Sequence, residues 1–126
     1  MNYYSESDLV DLVEDIIDLD SRMRFAALID LKGNIVEAIM KAGKTSLKTQ
    51  KEEAHFCRQV AERRRMRKEF DKSLGKVRYV HVEREKVTQM VIYPKKMTVY
   101  FTMEPEISIT RKVQIVNKIK KMTASL

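Results

Sequence analysis

The spacing of apolar residues changes several times along the chain, and each spacing predicts a different element. In residues 7–20 they recur at steps of three and four with acids between them, which is typical of an amphipathic helix. Ser5 and Asp8 can form a capping box for it, and Ser7 is an equally good N-cap. Residues 24–41 hold two apolar runs around a polar segment with Gly33, which predicts a β-hairpin because glycine tolerates positive φ. The first run is apolar on both faces, so we expect a central strand.

The second half of the chain predicts a long helix, three strands and a last helix. Residues 47–73 contain no Gly or Pro and predict a helix about 40 Å long, capped by Thr45 or Ser46 and ended by Gly75. Its narrow apolar stripe consists of Leu47, Ala54, Cys57, Val60, Ala61, Met66 and Phe70. Strands are predicted over 77–83, 87–93 and 97–103, with short antiparallel connections, and a helix follows Pro105.

These elements give the order α-β-β-α-β-β-β-α, which we expect to form a single domain over residues 1–126. The predicted fold class is α+β, with a five-stranded antiparallel sheet, the middle helix on one face and the first and last helices on the other. The acidic first helix and the lysine-rich last helix would then be neighbours. Because exposed ion pairs contribute only about 0–1 kcal/mol each, burial of the apolar stripes must dominate stability.

Composition and charge narrow the class of protein. A single cysteine is typical of a reducing compartment, and no apolar run approaches the roughly 20 residues of a membrane span. We therefore expect a cytoplasmic protein without a signal peptide or membrane insertion. The net charge is +7, but residues 1–20 hold seven acids and no Lys or Arg, which leaves 25 basic and 11 acidic residues, a charge of +14, for the rest. A region this basic attracts polyanions or acidic protein surfaces.

Six cations fall within eleven residues of the predicted long helix: Arg58, Arg63, Arg64, Arg65, Arg67 and Lys68. They cannot all share one face of a helix, although Arg64, Arg67 and Lys68 can form one group. This basic patch has three interpretations. It can bind nucleic acid, it can bind an acidic protein, or it can be a solvated helix end that is partly paired with Glu62, Glu69 and Asp71.

No motif in the sequence specifies a reaction, and we expect neither an enzyme nor a bound cofactor or metal. Residues 42–46 stand between a strand and a helix, as a phosphate-binding loop would, but Ala38 occupies the position of the first glycine of that pattern. We expect a polar turn with at most weak anion contact at the helix N-terminus. His55 and Cys57 point to different sides of one helix, and no carboxylate is spaced with them or with His81 as a metal site requires.

The order of elements resembles the roadblock family, the dynein-light-chain-type relatives of the profilin and longin folds. The resemblance covers residues 7–122 and is carried by the element order, the D-x-x-G turn of the hairpin at Ile29–Val36 and the long helix after it. That helix departs from the family because it is unusually long and rich in arginine. Proteins that look like this dimerise through the middle helix and the edge strand after it. By position, that surface comprises Phe56, Val60, Arg63, Val80 and Val82.

The resemblance implies a non-catalytic homodimeric scaffold or regulatory module that binds an intracellular protein partner, such as a small GTPase or a larger assembly. The first alternative is a nucleic-acid-binding protein that uses the basic long helix. The second is a profilin-like sensor domain with a ligand pocket. If the strand at residues 77–83 is a sheet edge, which Arg78, His81 and Glu83 blunt only in part, pairing across a two-fold axis would satisfy its unpaired N–H and C=O groups and also favour a dimer.

Overall fold

A computed structural model describes residues 4–126 of the chain. The predicted order of elements is confirmed, with one short helix added after the long one. The elements are α1 (Glu6–Ile17), β1 (Met23–Ile29), β2 (Ile35–Met40), α2 (Gln50–Lys68), α3 (Asp71–Leu74), β3 (Val80–Glu83), β4 (Thr88–Ile92), β5 (Thr98–Met103) and α4 (Ile109–Met122).

The strands form one antiparallel sheet in the order β2-β1-β5-β4-β3. β1 lies inside the sheet, as its two apolar faces predicted: Ala26 and Leu28 belong to one core cluster, and Ala27 and Ile29 to the other. The edges of the sheet are β2 and β3. The expected free edge is therefore present, although the strand itself begins at Val80.

Helices cover both faces of the sheet in the predicted arrangement. α1 and α4 pack together on one face, where the shared core includes Ile16, Ile115 and Phe101. α2 covers the other face and buries Cys57 and Val60 against the strands. Among residues 4–126, none of the helices is long and apolar enough to cross a membrane.

Side-chain caps set where the outer helices begin. Ser5 and Asp8 exchange hydrogen bonds of 3.0 and 3.1 Å at the start of α1, which confirms the predicted capping box. α4 begins at Ile109, later in the chain than the start at Pro105 that the sequence suggested. The reason is Ser108, whose hydroxyl accepts a hydrogen bond from the Arg111 N–H and caps the first turn.

The long helix differs from its prediction at both ends. Thr49, not Thr45 or Ser46, is the N-cap, because its hydroxyl accepts from the Glu52 N–H while the Glu52 carboxylate accepts from the Thr49 N–H. At the other end α2 stops at Lys68, and α3 continues the path only after a two-residue turn. Two helices therefore replace the single predicted rod.

The predicted apolar stripe of this helix is only partly buried. Cys57 and Ala61 are buried against the sheet together with Val60. Met66 follows Cys57 by nine residues, which is half a turn out of phase, so its side chain lies on the opposite face of α2. The stripe residues that are exposed, contrary to the prediction, are Leu47, Met66 and Phe70.

The D-x-x-G turn between β1 and β2 brings the hairpin close under α2. The Asp30 carboxylate accepts hydrogen bonds from the N–H groups of Lys32 and Asn34, both at 2.9 Å. Gly33 has a φ of 96°, and a Cβ at this position would lie 2.6 Å from the Cα of Arg58 in α2. The glycine is therefore needed both for the turn and for the contact between hairpin and helix.

Candidate partner-binding surface

The free edge of the sheet at β3 forms the first part of the candidate surface. Side chains alternate along the strand, so Val80 and Val82 point to the α2 face while His81 and Glu83 point to the other. Val80 is half-buried against the cluster under α2, whereas Val82 is 39% exposed. β3 pairs with β4 alone in the described sheet, which leaves its outer backbone groups available for pairing.

One side of α2 forms the second part. Phe56 and Arg63 are seven residues apart, about two turns, so they lie along the same side of the helix. The Phe56 ring is half-buried, with its centroid 5.0 Å from that of Tyr100, and Arg63 is exposed. Val60, the remaining residue of the predicted surface, is only 3% exposed. It packs beneath the helix and supports this surface from below.

A pocket of about 680 Å³ opens beside Phe56, between the N-terminal end of α2 and the β3–β4 turn. On its floor the Gln89 amide donates to the Tyr100 hydroxyl at 3.0 Å. The Lys48 ammonium lies 3.2 Å from that hydroxyl and 4.5 Å from the centroid of the Phe56 ring, and it pairs with Glu53 at 2.8 Å. The pocket has the size of a small-molecule site and continues the candidate surface.

Charges inside the pocket stabilise the protonated lysine. Burial alone would lower the pKa of Lys48, but the neighbouring Tyr100 and Glu53 raise it overall. Burial also raises the pKa of the Tyr100 hydroxyl. Lys48 therefore remains a cation beside the rings of Phe56 and Tyr100. The attraction between its charge and the ring quadrupoles stabilises this arrangement.

At the end of β3, Glu83 joins the edge strand to α4. Its carboxylate accepts hydrogen bonds from the Lys112 ammonium at 2.6 Å and the Thr88 hydroxyl at 2.8 Å, and it lies 2.8 Å from Nε2 of His81. Lys112 is buried and also donates to the carbonyl of Pro105 at 3.1 Å. Burial would raise the pKa of Glu83, but these hydrogen bonds, that of Lys112 first, lower it to about 2. The network leaves the α2 face of β3 apolar.

Arg64, at the centre of the predicted basic patch, holds the β4–β5 turn. Its guanidinium donates to the carbonyl oxygens of Pro94 and Met97, at 2.5 and 2.7 Å, and to the Thr98 hydroxyl at 3.0 Å. It also lies over the Tyr93 ring, 5.1 Å from the centroid. Burial lowers the pKa of Arg64. This arginine therefore has a packing role that the sequence did not predict.

The other cations of the patch are more accessible. Arg65 donates to the carbonyl of Leu31 at 3.2 Å, and Arg67 donates to the Tyr93 hydroxyl at 2.7 Å. The remaining three are exposed: Arg58, Arg63 and Lys68. None of the six belongs to an ion pair within residues 4–126, so the pairing with Glu62, Glu69 and Asp71 is not observed there, although the exposed cations agree with a solvated helix end.

The loop at residues 42–46 is fastened to the ends of neighbouring strands and does not form a phosphate cradle. The Lys44 ammonium pairs with Glu104 at 2.7 Å, and the carbonyl of Thr45 accepts a hydrogen bond from Arg24 at 2.8 Å. The first turn of α2 lies beyond the loop and is capped by Thr49. Across the part of the chain that the structure describes, no group of three or more His, Cys, Asp or Glu side chains could hold a metal ion.

Sequence reasoning missed two features of this surface. Lys48 was not singled out, because nothing in its neighbours along the chain shows that Tyr100 lies beneath it. Lys112 was not singled out within the lysine-rich last helix. A signal for Lys112 was present, since it lies three, four and seven residues before Ile115, Val116 and Ile119 and therefore on the buried stripe.

Comparisons with known proteins agree with this fold. The gliding protein MglB from Thermus thermophilus superposes with a TM-score of 0.78 at 13% identity, over 99% of this chain and 93% of that chain. MglB in a tetrameric arrangement gives 0.73 at 13% identity, over 99% and 95%. A Roadblock/LC7 domain from Streptomyces avermitilis gives 0.71 at 12% identity, over 92% of each chain. These similarities confirm the roadblock fold that the element order resembles.

Sequence comparisons assign the chain to one family. A search of curated proteins finds none that matches it. Residues 11–125, most of the chain, match the model of DUF6659, described as a family of unknown function. This protein is therefore a roadblock-fold member of the DUF6659 family.

Proposed function

We propose that this protein is a non-catalytic scaffold or regulatory module that forms a homodimer and binds a further intracellular protein in the cytoplasm. The observation that carries the proposal is the free edge of β3, where unpaired backbone groups lie beside the exposed side chain of Val82. Antiparallel pairing of two β3 strands across a two-fold axis would join two sheets into one and satisfy those groups.

The neighbouring part of α2 supports the same interface. Phe56 and Arg63 lie along one side of the helix, and a partner helix beside them would cover the half-buried Phe56 ring. The roadblock resemblance implies that these same elements, the middle helix and the edge strand after it, form the dimer. MglB, which shares the fold, has been observed in a tetrameric arrangement. The further protein partner would then bind the assembled dimer.

Size-exclusion chromatography with light scattering tests the dimer at micromolar concentration. The wild-type protein should have about twice the 14.8 kDa mass of one chain. Val82→Asp places a charge on the pairing edge and should give a monomer, because the charge would be desolvated on pairing. The matched control is Val36→Asp on the other edge strand, where the side chain is similarly exposed at 42%, and it should remain a dimer. A monomeric wild-type protein, or equal effects of both substitutions, would contradict the proposal.

A further inference from the structure

The segment from the end of α2 through α3 exposes three large apolar side chains. Met66, Phe70 and Leu74 are 60%, 56% and 82% exposed. They follow one another at four-residue steps, and the backbone between them continues in helical turns, with hydrogen bonds from Phe70 N–H to Arg67 O and from Leu74 N–H to Phe70 O. We call these three residues the apolar ridge.

Basic residues are interleaved with the apolar ridge along the chain. Residues 62–78 contain eight cations and three acids. None of the eight cations forms an ion pair with any residue in the described range 4–126. Lys68, Lys72 and Lys76 are all exposed and are interleaved with the ridge along the chain. The segment therefore combines apolar side chains with positive charge that the protein itself leaves unpaired.

We propose that the apolar ridge and its lysines dock the protein onto an anionic phospholipid surface. Lipid phosphates supply the negative charge that the unpaired cations lack, and the ridge side chains enter the boundary between headgroups and acyl chains. Each interaction is weak alone, but together they give reversible peripheral attachment. The combination of a basic face with projecting apolar residues is what distinguishes such a segment from an ordinary solvated helix end.

The shape of the apolar ridge favours lipid over a macromolecular partner. Its three residues line neither the pocket beside Phe56 nor a second pocket near Lys76 and Tyr93. A protein partner would need a groove to receive such projecting side chains, whereas a fluid lipid interface accepts them without one. A nucleic acid would use the cations, but it would leave the aliphatic side chain of Leu74, the most exposed of the three, without an apolar contact.

A tryptophan placed in the ridge tests the proposal directly. The chain contains no Trp, so Phe70→Trp introduces a single reporter. With vesicles of phosphatidylcholine containing about 30% phosphatidylglycerol at low salt, we expect the protein to float with the vesicles and the emission to shift to shorter wavelength. Pure phosphatidylcholine vesicles should give neither change, and added salt should release the protein because it screens the attraction.

Matched variants of the native chain separate the parts of the proposal. Lys72→Glu with Lys76→Glu should weaken binding to the anionic vesicles at least about tenfold, since each cation near such a surface contributes about a factor of five. Leu74→Ser should weaken it too. The control Ile109→Ser removes another exposed apolar side chain, at the start of α4, and should leave binding unchanged.

Several results would overturn the proposal. One is binding to neutral vesicles as strong as to anionic ones, and another is no binding to either. A third is loss of the dimer in Leu74→Ser by light scattering, which would assign the ridge to a protein interface. The last is binding of a DNA duplex that depends on Lys72 and Lys76 when anionic vesicles are not bound, which would assign the cations to nucleic acid.

Discussion

Individual charged residues in this protein connect segments that are distant in sequence. Asp20 accepts hydrogen bonds from Arg22 and Arg111, which lower its pKa and fasten the end of α1 to the start of α4. Glu83 connects β3 to α4 in the same way, through the ammonium of Lys112. Because a carboxylate that is hydrogen-bonded by cations resists protonation, such residues make the stability of the fold depend on pH.

Glu83 gives the clearest pH prediction. Its pKa is lowered from the ordinary 4.5 to about 2 in the folded protein, so its ionised form stabilises the fold fully above pH 4.5. That contribution is lost as the pH falls from 4.5 towards 2. Urea unfolding should therefore show wild type more stable than Glu83→Gln near pH 6, with the difference shrinking over this window.

The control for this prediction is Glu85→Gln in the adjacent turn, where the side chain is exposed and belongs to no ion pair within residues 4–126. It should follow wild type at every pH. A difference between wild type and Glu83→Gln that stays constant from neutral pH to the acid limit would show that Glu83 does not act through its ionisation.

At the scale of elements, the first cap and the hairpin turn could be read from local sequence, but the ends of the long helix could not. The Ser5–Asp8 box and the D-x-x-G turn need only neighbouring residues, and both were predicted. The break after α2 was not predicted, because helix-forming residues continue through it. α3 buries no side chain, so the chain there has left the sheet and lost the apolar surface that favours a continuous helix.

The candidate surface, too, was predicted from the sequence only in part. β3 was predicted as a strand from its own residues, and the roadblock resemblance implied that it is an edge strand. Val60 was assigned to the surface by its position in the roadblock resemblance, yet it lies beneath α2, in agreement with its place in the apolar stripe. Arg64 was read as part of a charged face, and only the position of the β4–β5 turn shows that it binds carbonyl oxygens there.

Gly33 allows a prediction about how hairpin and helix fit together. Gly33→Ala adds a methyl group that would lie 2.6 Å from the backbone of Arg58, in addition to straining a residue with positive φ. Gly43→Ala is the matched control, since Gly43 also has positive φ but no atom within 4 Å of an added Cβ.

Both glycine substitutions should lower the free energy of unfolding, and Gly33→Ala should cost at least about 1 kcal/mol more than Gly43→Ala, because overpacking adds to the strain. Chemical denaturation of the two variants measures this difference. Equal losses would show that α2 shifts to accept the methyl group, and that the close approach is not required.

At the scale of the whole molecule, the sheet separates the acidic and basic helices. α1, whose segment holds seven acids and no Lys or Arg among residues 1–20, lies on the face opposite to α2. If two β3 strands pair as proposed, the two-fold axis is perpendicular to the joined sheet. Both α2 helices then lie on the same face and present their cations together, so the dimer would bind an anionic surface more strongly than either subunit.

Amide hydrogen exchange tests the proposed pairing of two chains at β3 itself. Both β2 and β3 are edge strands of the sheet that residues 4–126 form, so within that range each has outward N–H groups without a partner strand. At concentrations where the dimer forms, the outward amides within Val80–Glu83 should exchange far more slowly than those within Ile35–Met40. Equally fast exchange at both edges would contradict pairing through β3.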